Sequence, residues 1–304
     1  MKVLVTGGAG FVGTNLIKRL LKDGHEVISV DNYSTGKKEN HQKGNVTYFD
    51  YDISNQHTLG IYVDHDSYPA WRDTDYDIIF YVGALARIQP SLVDPLENIT
   101  NNIMSTAHIL ELARRNQIPV VYAGSSSKHH APYGSPYAWT KWIGEENCRL
   151  FTECYDLPTS ICRFYNVYGD YQLLEGAYAT VLGIFEKQYS EGKPLTITSN
   201  GEQRRDFTHV DDIVDGFVKC GLGLIEGKIK GEEFELGSGV NHSINEVADL
   251  FGKDYPREYI PKRKGEYDKT LCTDTKAHEL LGWKANKKLD EYIHDFVNKT
   301  SPGL

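Results

Sequence analysis

Short apolar runs alternate with stretches of helical periodicity through the first half of the chain. Residues 2–6, 26–30, 46–51, 77–82, 120–124 and 159–164 are rich in Val, Ile and Phe and apolar on both faces, as buried parallel strands are. Between the first two runs, Leu16, Ile17, Leu20 and Leu21 recur at helical spacing. That stretch ends at Asp23-Gly24, where glycine suits a helix C-cap. The alternation predicts an α/β fold, a doubly wound parallel sheet with right-handed crossovers. After about Gly169 the pattern loosens. Gly, Pro and charged residues interrupt shorter elements, and 253–269 reads as a charged, tyrosine-bearing loop. The expected division is a first domain over 1–168 and a smaller C-terminal lobe over 169–304, with about 206–240 packing back on the first domain.

The length of 304 residues corresponds to about two domains or one large one and buries a core without disulfides. Charged residues make up 25% and hydrophobic ones 40%, which excludes a disordered chain. The net charge of −9, from 33 Lys+Arg against 42 Asp+Glu, argues against broad attraction to nucleic acid or anionic lipid. No apolar run approaches the roughly 18 residues of a membrane helix. Lys2 is followed at once by Val3, Leu4 and Val5, a strand and not a signal peptide. Cys148, Cys154, Cys162, Cys220 and Cys272 form no CxxC pair and read as free thiols of a reducing compartment, hence a cytoplasmic protein. There are 20 Tyr against 2 Met, a surplus that composition leaves unexplained.

Candidate chemistry begins where the first strand meets the first helix. Gly7, Gly10 and Gly13 have the spacing G-x-x-G-x-x-G within Thr6-Gly7-Gly8-Ala9-Gly10-Phe11-Val12-Gly13. Gly7 suits a tight turn, Gly10 a close approach to a pyrophosphate, and Gly13 close packing of helix on strand. The pyrophosphate would rest on the helix N-terminus. Asp31 ends the second strand, where a carboxylate accepts hydrogen bonds from a ribose 2′-OH and repels a 2′-phosphate. The reading is a Rossmann-type fold holding NAD in preference to NADP.

A second constellation follows the fifth strand. Gly124-Ser125-Ser126-Ser127 is succeeded by Ser135-Pro136-Tyr137-Ala138-Trp139-Thr140-Lys141. Pro136 suits the first position of a helix, so Tyr137 and Lys141 stand one turn apart on one face. A phenol near pKa 10 is a poor base at neutral pH; a neighbouring ammonium and an oxidised nicotinamide ring favour its phenolate. Such a base takes a proton from a substrate hydroxyl while hydride leaves the same carbon, and a serine at the strand edge holds the substrate oxygen.

With these residues in place, the chain resembles the extended short-chain dehydrogenase/reductases, in particular the nucleotide-sugar epimerases. The resemblance spans nearly the whole length. It includes the glycine turn, Asp31-Asn32-Tyr33-Ser34-Thr35-Gly36, Asp52-Ile53, Arg87-Ile88-Gln89-Pro90-Ser91 and Asn101-Asn102. It continues through Tyr137 to Lys141, Arg163-Phe164-Tyr165-Asn166-Val167-Tyr168-Gly169, Arg204-Arg205-Asp206-Phe207, and Arg263-Lys264-Gly265-Glu266. The resemblance implies that Gly7, Gly10, Phe11, Val12 and Gly13 lie on the pyrophosphate. Asp31 and Asn32, with Ser34, Thr35 and Gly36, would hold the adenine ribose, and Asp52 and Ile53 the adenine. Gly83, Ala84, Leu85, Asn101 and Tyr165 would line the nicotinamide side. Tyr137 would be the base, Lys141 would hold the nicotinamide ribose, and Ser125 would assist. Ser125 and Ser126 would meet the sugar, and Asn166, Arg205 and Arg263 would grip the diphosphate and nucleoside. Homodimerisation through helices at about 98–116 and 136–155 is implied in the same way.

The chain departs from the family between the serines and the tyrosine. Lys128-His129-His130-Ala131-Pro132-Tyr133-Gly134 replaces a longer segment, so a cap over the sugar is shortened. Ser125 or Ser127 takes the family's serine role, Ser125 being nearer the strand edge. His129 and His130 are adjacent, would point apart, and lack an acidic partner at metal spacing, so they read as loop residues and no metal is expected. Tyr133 is expected within reach of the pocket. The acids that sister dehydratases and decarboxylases carry after the fifth strand are replaced by Ser126, Ser127 and Lys128. The expectation is therefore an NAD-dependent nucleotide-sugar 4-epimerase. A reductase or dehydrogenase of the same fold and a non-catalytic NAD-binding sensor are the alternatives.

Overall fold

A computed structural model describes residues 1–55, 70–72, 75–129 and 132–300. Strands β1 (Lys2–Thr6), β2 (Glu26–Asp31), β3 (Val46–Asp50), β4 (Ile78–Tyr81), β5 (Val120–Ser125) and β6 (Thr159–Phe164) fall on the six apolar runs. Seven shorter strands follow: β7 (Val167–Tyr168), β8 (Leu195–Thr198), β9 (Arg204–Asp206), β10 (Thr208–His209), β11 (Glu233–Leu236), β12 (Asn241–Ser243) and β13 (Arg257–Ile260). The helices are α1 (Phe11–Lys22), α2 (Ile88–Val93), α3 (Pro95–Asn116), α4 (Pro136–Tyr155) and α5 (Val181–Ser190). They continue with α6 (Val210–Ile225), α7 (Ile244–Leu250), α8 (Lys276–Leu281) and α9 (Leu289–Thr300).

The central sheet has 7 strands in the order β11-β6-β5-β4-β1-β2-β3. Every pairing in it is parallel. Because successive strand residues face opposite sides, β1 feeds two layers. Val3 and Val5 pack with Leu16, Ile17 and Leu20 of α1 and Ile213 and Phe217 of α6. Leu4 packs on the other side with Ile109 and Ala113 of α3 and Cys148 of α4. This doubly wound sheet reverses its strand order between β1 and β4, the place where such folds open a crevice at the strands' C-terminal ends.

Local signals explain the helix ends nearest that crevice. Gly24 N–H bonds the Leu21 carbonyl at 3.1 Å and His25 N–H the Leu20 carbonyl at 3.0 Å, the double bond that closes a helix C-terminus. At the start of α4, Pro136 follows the N-cap Ser135, whose hydroxyl accepts from Ala138 N–H at 3.1 Å.

The second half is less separate than its loosened pattern suggests. β11 pairs with β6 and completes the first sheet, while α6, Ala277 and Trp283 join the α1 layer. The C-terminal lobe proper is a smaller cluster that includes Phe185, Ile197, Phe251 and Ile293. The stretch 253–269, expected as loop, holds β13, which pairs in parallel with β8. Its Arg-Glu-Tyr-Ile composition is half polar, so only the tertiary partner reveals it as a strand. Among the described residues, no helix is long and apolar enough to cross a membrane.

Candidate active site

A cleft of about 490 Å³ opens over the C-terminal ends of β1, β4 and β5 and is closed from the other side by the C-terminal lobe. Its floor is the glycine turn. Gly7 has φ +69°, and a Cβ there would lie 2.7 Å from the Gly83 Cα. At Gly13 a Cβ would lie 2.1 Å from the Gly7 carbonyl oxygen, so helix and strand touch through backbone. The Thr6 hydroxyl accepts from Val82 and Gly83 N–H at 3.2 and 3.1 Å, tying this turn to the loop after β4. No side chain caps the start of α1, so its first-turn amides are left for an anion.

Asp31 is buried, and its carboxylate accepts from Ala9 N–H at 2.9 Å and Tyr33 N–H at 2.8 Å. Each oxygen keeps a lone pair for a ribose hydroxyl. Burial pushes its pKa up, and those amide bonds pull it back. The donor set therefore fits a dinucleotide: free amides for a pyrophosphate and a carboxylate for a ribose. An alanine at Gly13 would drive helix from strand, and a cost of about 1–3 kcal/mol predicts NAD binding weakened roughly 5–150-fold. Chromatographic cofactor content of purified Gly13→Ala checks this.

The loop after β4 is held by α3. Leu85 N–H donates to Asn102 Oδ1 at 2.8 Å, and its carbonyl accepts from Asn98 Nδ2 at 2.9 Å. Asn102 Nδ2 also donates to Thr140 Oγ1 on α4 at 3.0 Å. One polar chain thus joins the cofactor-side loop to the helix carrying Tyr137 and Lys141.

Tyr137 Oη lies 3.4 Å from Ser125 Oγ at the edge of β5. Lys141, one turn on, is buried with its Nζ 4.3 Å above the Tyr122 ring. Burial pushes the Tyr137 pKa up, the Ser125 hydrogen bond and the Arg87 guanidinium pull it down, and Glu145 pushes it up. The net direction is upward. The cation acting on the phenol is Arg87, whereas the spacing had pointed to Lys141; the ammonium is turned onto Tyr122 instead. Lys141 itself is pushed down to about 8 by burial, against the pull of Glu145.

A lowered lysine pKa means the native chain resists protonation that the unfolded chain accepts. The penalty is complete below about pH 8 and disappears as pH rises to the unfolded value of 10.5. Lys141→Met is expected to stabilise the cofactor-free chain by roughly 3 kcal/mol at pH 7. The gain should shrink steadily between pH 8 and 10.5, as urea titrations of both proteins will show.

Most residues singled out in the sequence line this cleft: Gly7, Gly10, Phe11, Val12, Gly13, Asp31, Asn32, Ser34, Thr35, Asp52, Ile53, Gly83, Ala84, Leu85 and Asn101. So do Ser125, Ser126, Tyr137, Lys141, Asn166, Arg205 and Arg263. Gly36 is packed behind the wall against Ala9 and Asp31. Tyr165 is buried away from the cleft, its hydroxyl donating to Glu235 Oε2 at 3.0 Å. Its neighbours Phe164 and Asn166 face the cleft, so the tyrosine is on the opposite side of an extended segment. Tyr133 is 79% exposed and meets Trp142 edge-on, outside the lining. His129 bonds Glu235 at 2.8 Å; His130 lies outside the described residues.

Asn166 Nδ2 donates to the Asp206 carbonyl at 2.8 Å and to Thr270 Oγ1 at 3.0 Å, fastening the Arg205 segment to the rim. The sequence reading assigned no role to Arg87, Tyr178, Glu266 or Tyr267, which also line the cleft. Arg87 had a signal, since it opens one of the recognised segments. Tyr178 had none, being brought in by the lobe.

Beneath the site lies an ion cluster. The Arg163 guanidinium reaches Glu145 at 2.8 Å, Glu235 at 2.7 Å and Glu233, while Lys128 lies 3.6 Å from both Glu145 and Glu233. Arg163 and Glu145 are buried.

The chain is similar to known proteins over its whole length. The model of the NAD dependent epimerase/dehydratase family matches residues 3–237. The UDP-glucose 4-epimerase of Mycolicibacterium smegmatis is 33% identical over 313 residues, covering 96% of each chain. A UDP-N-acetyl-alpha-D-glucosaminuronate decarboxylase of Bacillus cytotoxicus is 29% identical over 94% of this chain and 95% of its own. The solved UDP-glucose 4-epimerase of Thermus thermophilus, in complex with NAD, superposes with a TM-score of 0.84 at 26% identity, with all of both chains covered. Glycine turn, acidic strand end and paired tyrosine and lysine thus occur in a chain that belongs to the NAD dependent epimerase/dehydratase family.

Proposed function

We propose that the chain is a nucleotide-sugar 4-epimerase. The observation that carries this reading is the approach of Tyr137 Oη to Ser125 Oγ at 3.4 Å, in one cleft with the dinucleotide turn and with Arg205 and Arg263. The cofactor is NAD. When bound, it would supply a reversible hydride acceptor.

The chain's residues supply the rest. Ser125 holds the C4 oxygen, and Tyr137 removes its proton as base and later returns one as acid. Lys141 holds the nicotinamide ribose. Arg205 and Arg263 clamp the substrate diphosphate, a task suited to the planar guanidinium fork. This grip leaves the sugar ring of a 4-keto intermediate free to turn and present its other face. The resemblance implies that dehydratases and decarboxylases of this fold carry an acid just after the strand-five serine. The three positions after it are Ser126, Ser127 and Lys128, and Lys128 is committed to Glu145 and Glu233.

Exposed Leu96, Met104, Leu150 and Tyr155 on α3 and α4 support a homodimer built on those helices. The test of function is incubation of the holoenzyme with UDP-, GDP-, CDP- and dTDP-sugars, followed by proton NMR. Inversion at C4 without net NADH absorbance supports the reading. A dehydrated or decarboxylated product, or stoichiometric NADH, overturns it.

A further inference from the structure

The cleft contains a cation with no carboxylate partner among the described residues. Arg87 stands at the N-terminus of α2 and lines the cleft beside Tyr137. Its Nε donates to the Tyr178 carbonyl at 2.9 Å, which fixes the guanidinium by one edge and leaves the Nη edge available. Arg19, Arg114, Arg149, Arg163, Arg204 and Arg257 each pair with a carboxylate. Among the described residues, Arg87 makes no such pair. Burial disfavours its charged form, and the negative charge of a Tyr137 phenolate offsets this.

A second donor is equally unused. Ser127 lines the same cleft, and its Oγ is shielded from solvent without a hydrogen-bond partner among the described residues. Arg87 is half-buried at the cleft wall, and a bound sugar that displaces its water without pairing its charge leaves a costly cation. The dinucleotide pyrophosphate has the amides of α1. The substrate diphosphate has Arg205 and Arg263, which approach from the lobe. At the reacting end, the Lys141 ammonium is turned onto the Tyr122 ring, which leaves the Arg87 guanidinium as the cation with a free edge toward the cleft.

We propose that Arg87, with Ser127 lining the same cleft, receives a carboxylate borne by the sugar, so that the substrate class is a nucleotide-diphosphate hexuronate in preference to a neutral hexose. The proposal rests on reading the cleft as a nucleotide-sugar site. A carboxylate meets the guanidinium's free edge with charge-assisted bonds, whereas a neutral hydroxymethyl group leaves the charge unpaired.

The test uses two matched pairs, UDP-glucuronate with UDP-glucose and UDP-N-acetylglucosaminuronate with UDP-N-acetylglucosamine. Binding to the holoenzyme is measured by calorimetry and C4 inversion by NMR, for wild type, Arg87→Gln and Arg87→Lys. Wild type should favour the acidic member of at least one pair by about 10-fold or more. Arg87→Gln should reduce that ratio by roughly 10–100-fold, the scale of hydrogen bonds to charged groups. Arg87→Lys should keep part of it, having charge without the fork, and it serves if the Gln variant does not fold.

A wild-type ratio at or below one in both pairs overturns the proposal. So does an Arg87→Gln ratio equal to that of wild type. A shifted pH profile with the ratio intact likewise overturns it, because Arg87 would then act only on Tyr137. Tight, Arg87-dependent hexuronate binding without C4 inversion upholds this inference and sinks the epimerase reading. Inversion confined to neutral sugars does the reverse.

Discussion

Replacing Tyr137 by phenylalanine is expected to lower turnover by about 10²–10⁴-fold, the span of general acid–base catalysis, while NAD remains bound. The phenol is the group that faces Ser125 at the edge of β5. The glycine turn and Asp31 lie on other elements, so the cofactor should stay. NMR rates, with cofactor content measured on the same preparation, separate the two effects. Activity within threefold of wild type would remove Tyr137 as the base. Because its pKa is raised, wild-type turnover should climb with pH on the acid side of its profile as the phenolate forms. Its principal opposing cation is Arg87 and not the lysine one turn away.

The largest loss of stability is expected from Arg163→Met. The substitution takes from Glu145, whose side chain has no exposed surface, its hydrogen-bonded partner and leaves it Lys128 at 3.6 Å and Arg149 at 3.8 Å, and it removes a partner from Glu233 and Glu235. Breaking a buried pair from one side costs about 3–5 kcal/mol, readable as a lower urea midpoint. Arg163→Met combined with Glu145→Leu should recover part of that loss, since no charge is then left unpaired at that pair. Acid titration offers an independent check. Arg163 and Arg149 hold Glu233 down to about 2 against the upward push of burial. A depressed carboxylate stabilises the fold above its unfolded value and loses that stabilisation as pH falls from about 4.5 to about 2. Without Arg163 this acid-side decline should be shallower.

How much of this was legible in the chain follows from the range of each interaction. The runs that became β1 to β6 are apolar on both faces because helices cover both sides, and such runs announce themselves. β7 and β10 are two residues each and exist only through each other, so no local pattern marks them. The glycine turn, Asp31 and the Tyr137–Lys141 pair were legible because their chemistry depends on short spacings. Arg205 and Arg263 were placed by the segments around them. Tyr165 was misplaced because a linear motif does not say which neighbour turns inward, and here Phe164 and Asn166 do. Arg87 was visible as a letter but not as a function. The reading proposed for it rests on its lack of a carboxylate partner among the described residues, and that is a property of three-dimensional packing.

The return of β11 and α6 to the first sheet also constrains how the protein is made. The sheet's β6 edge is uncovered until Phe234 and Leu236 have been synthesised, and the layer over Val3, Phe80 and Val121 is closed only with Ala277 and Trp283. At about 5–20 residues per second, the interval between residues 164 and 283 lasts roughly 6–24 s. A nascent chain therefore carries a finished glycine turn and Tyr137 on an open-edged sheet for many seconds. During translation, the segment that completes the cofactor half is also the one that ends its exposure to edge-on aggregation.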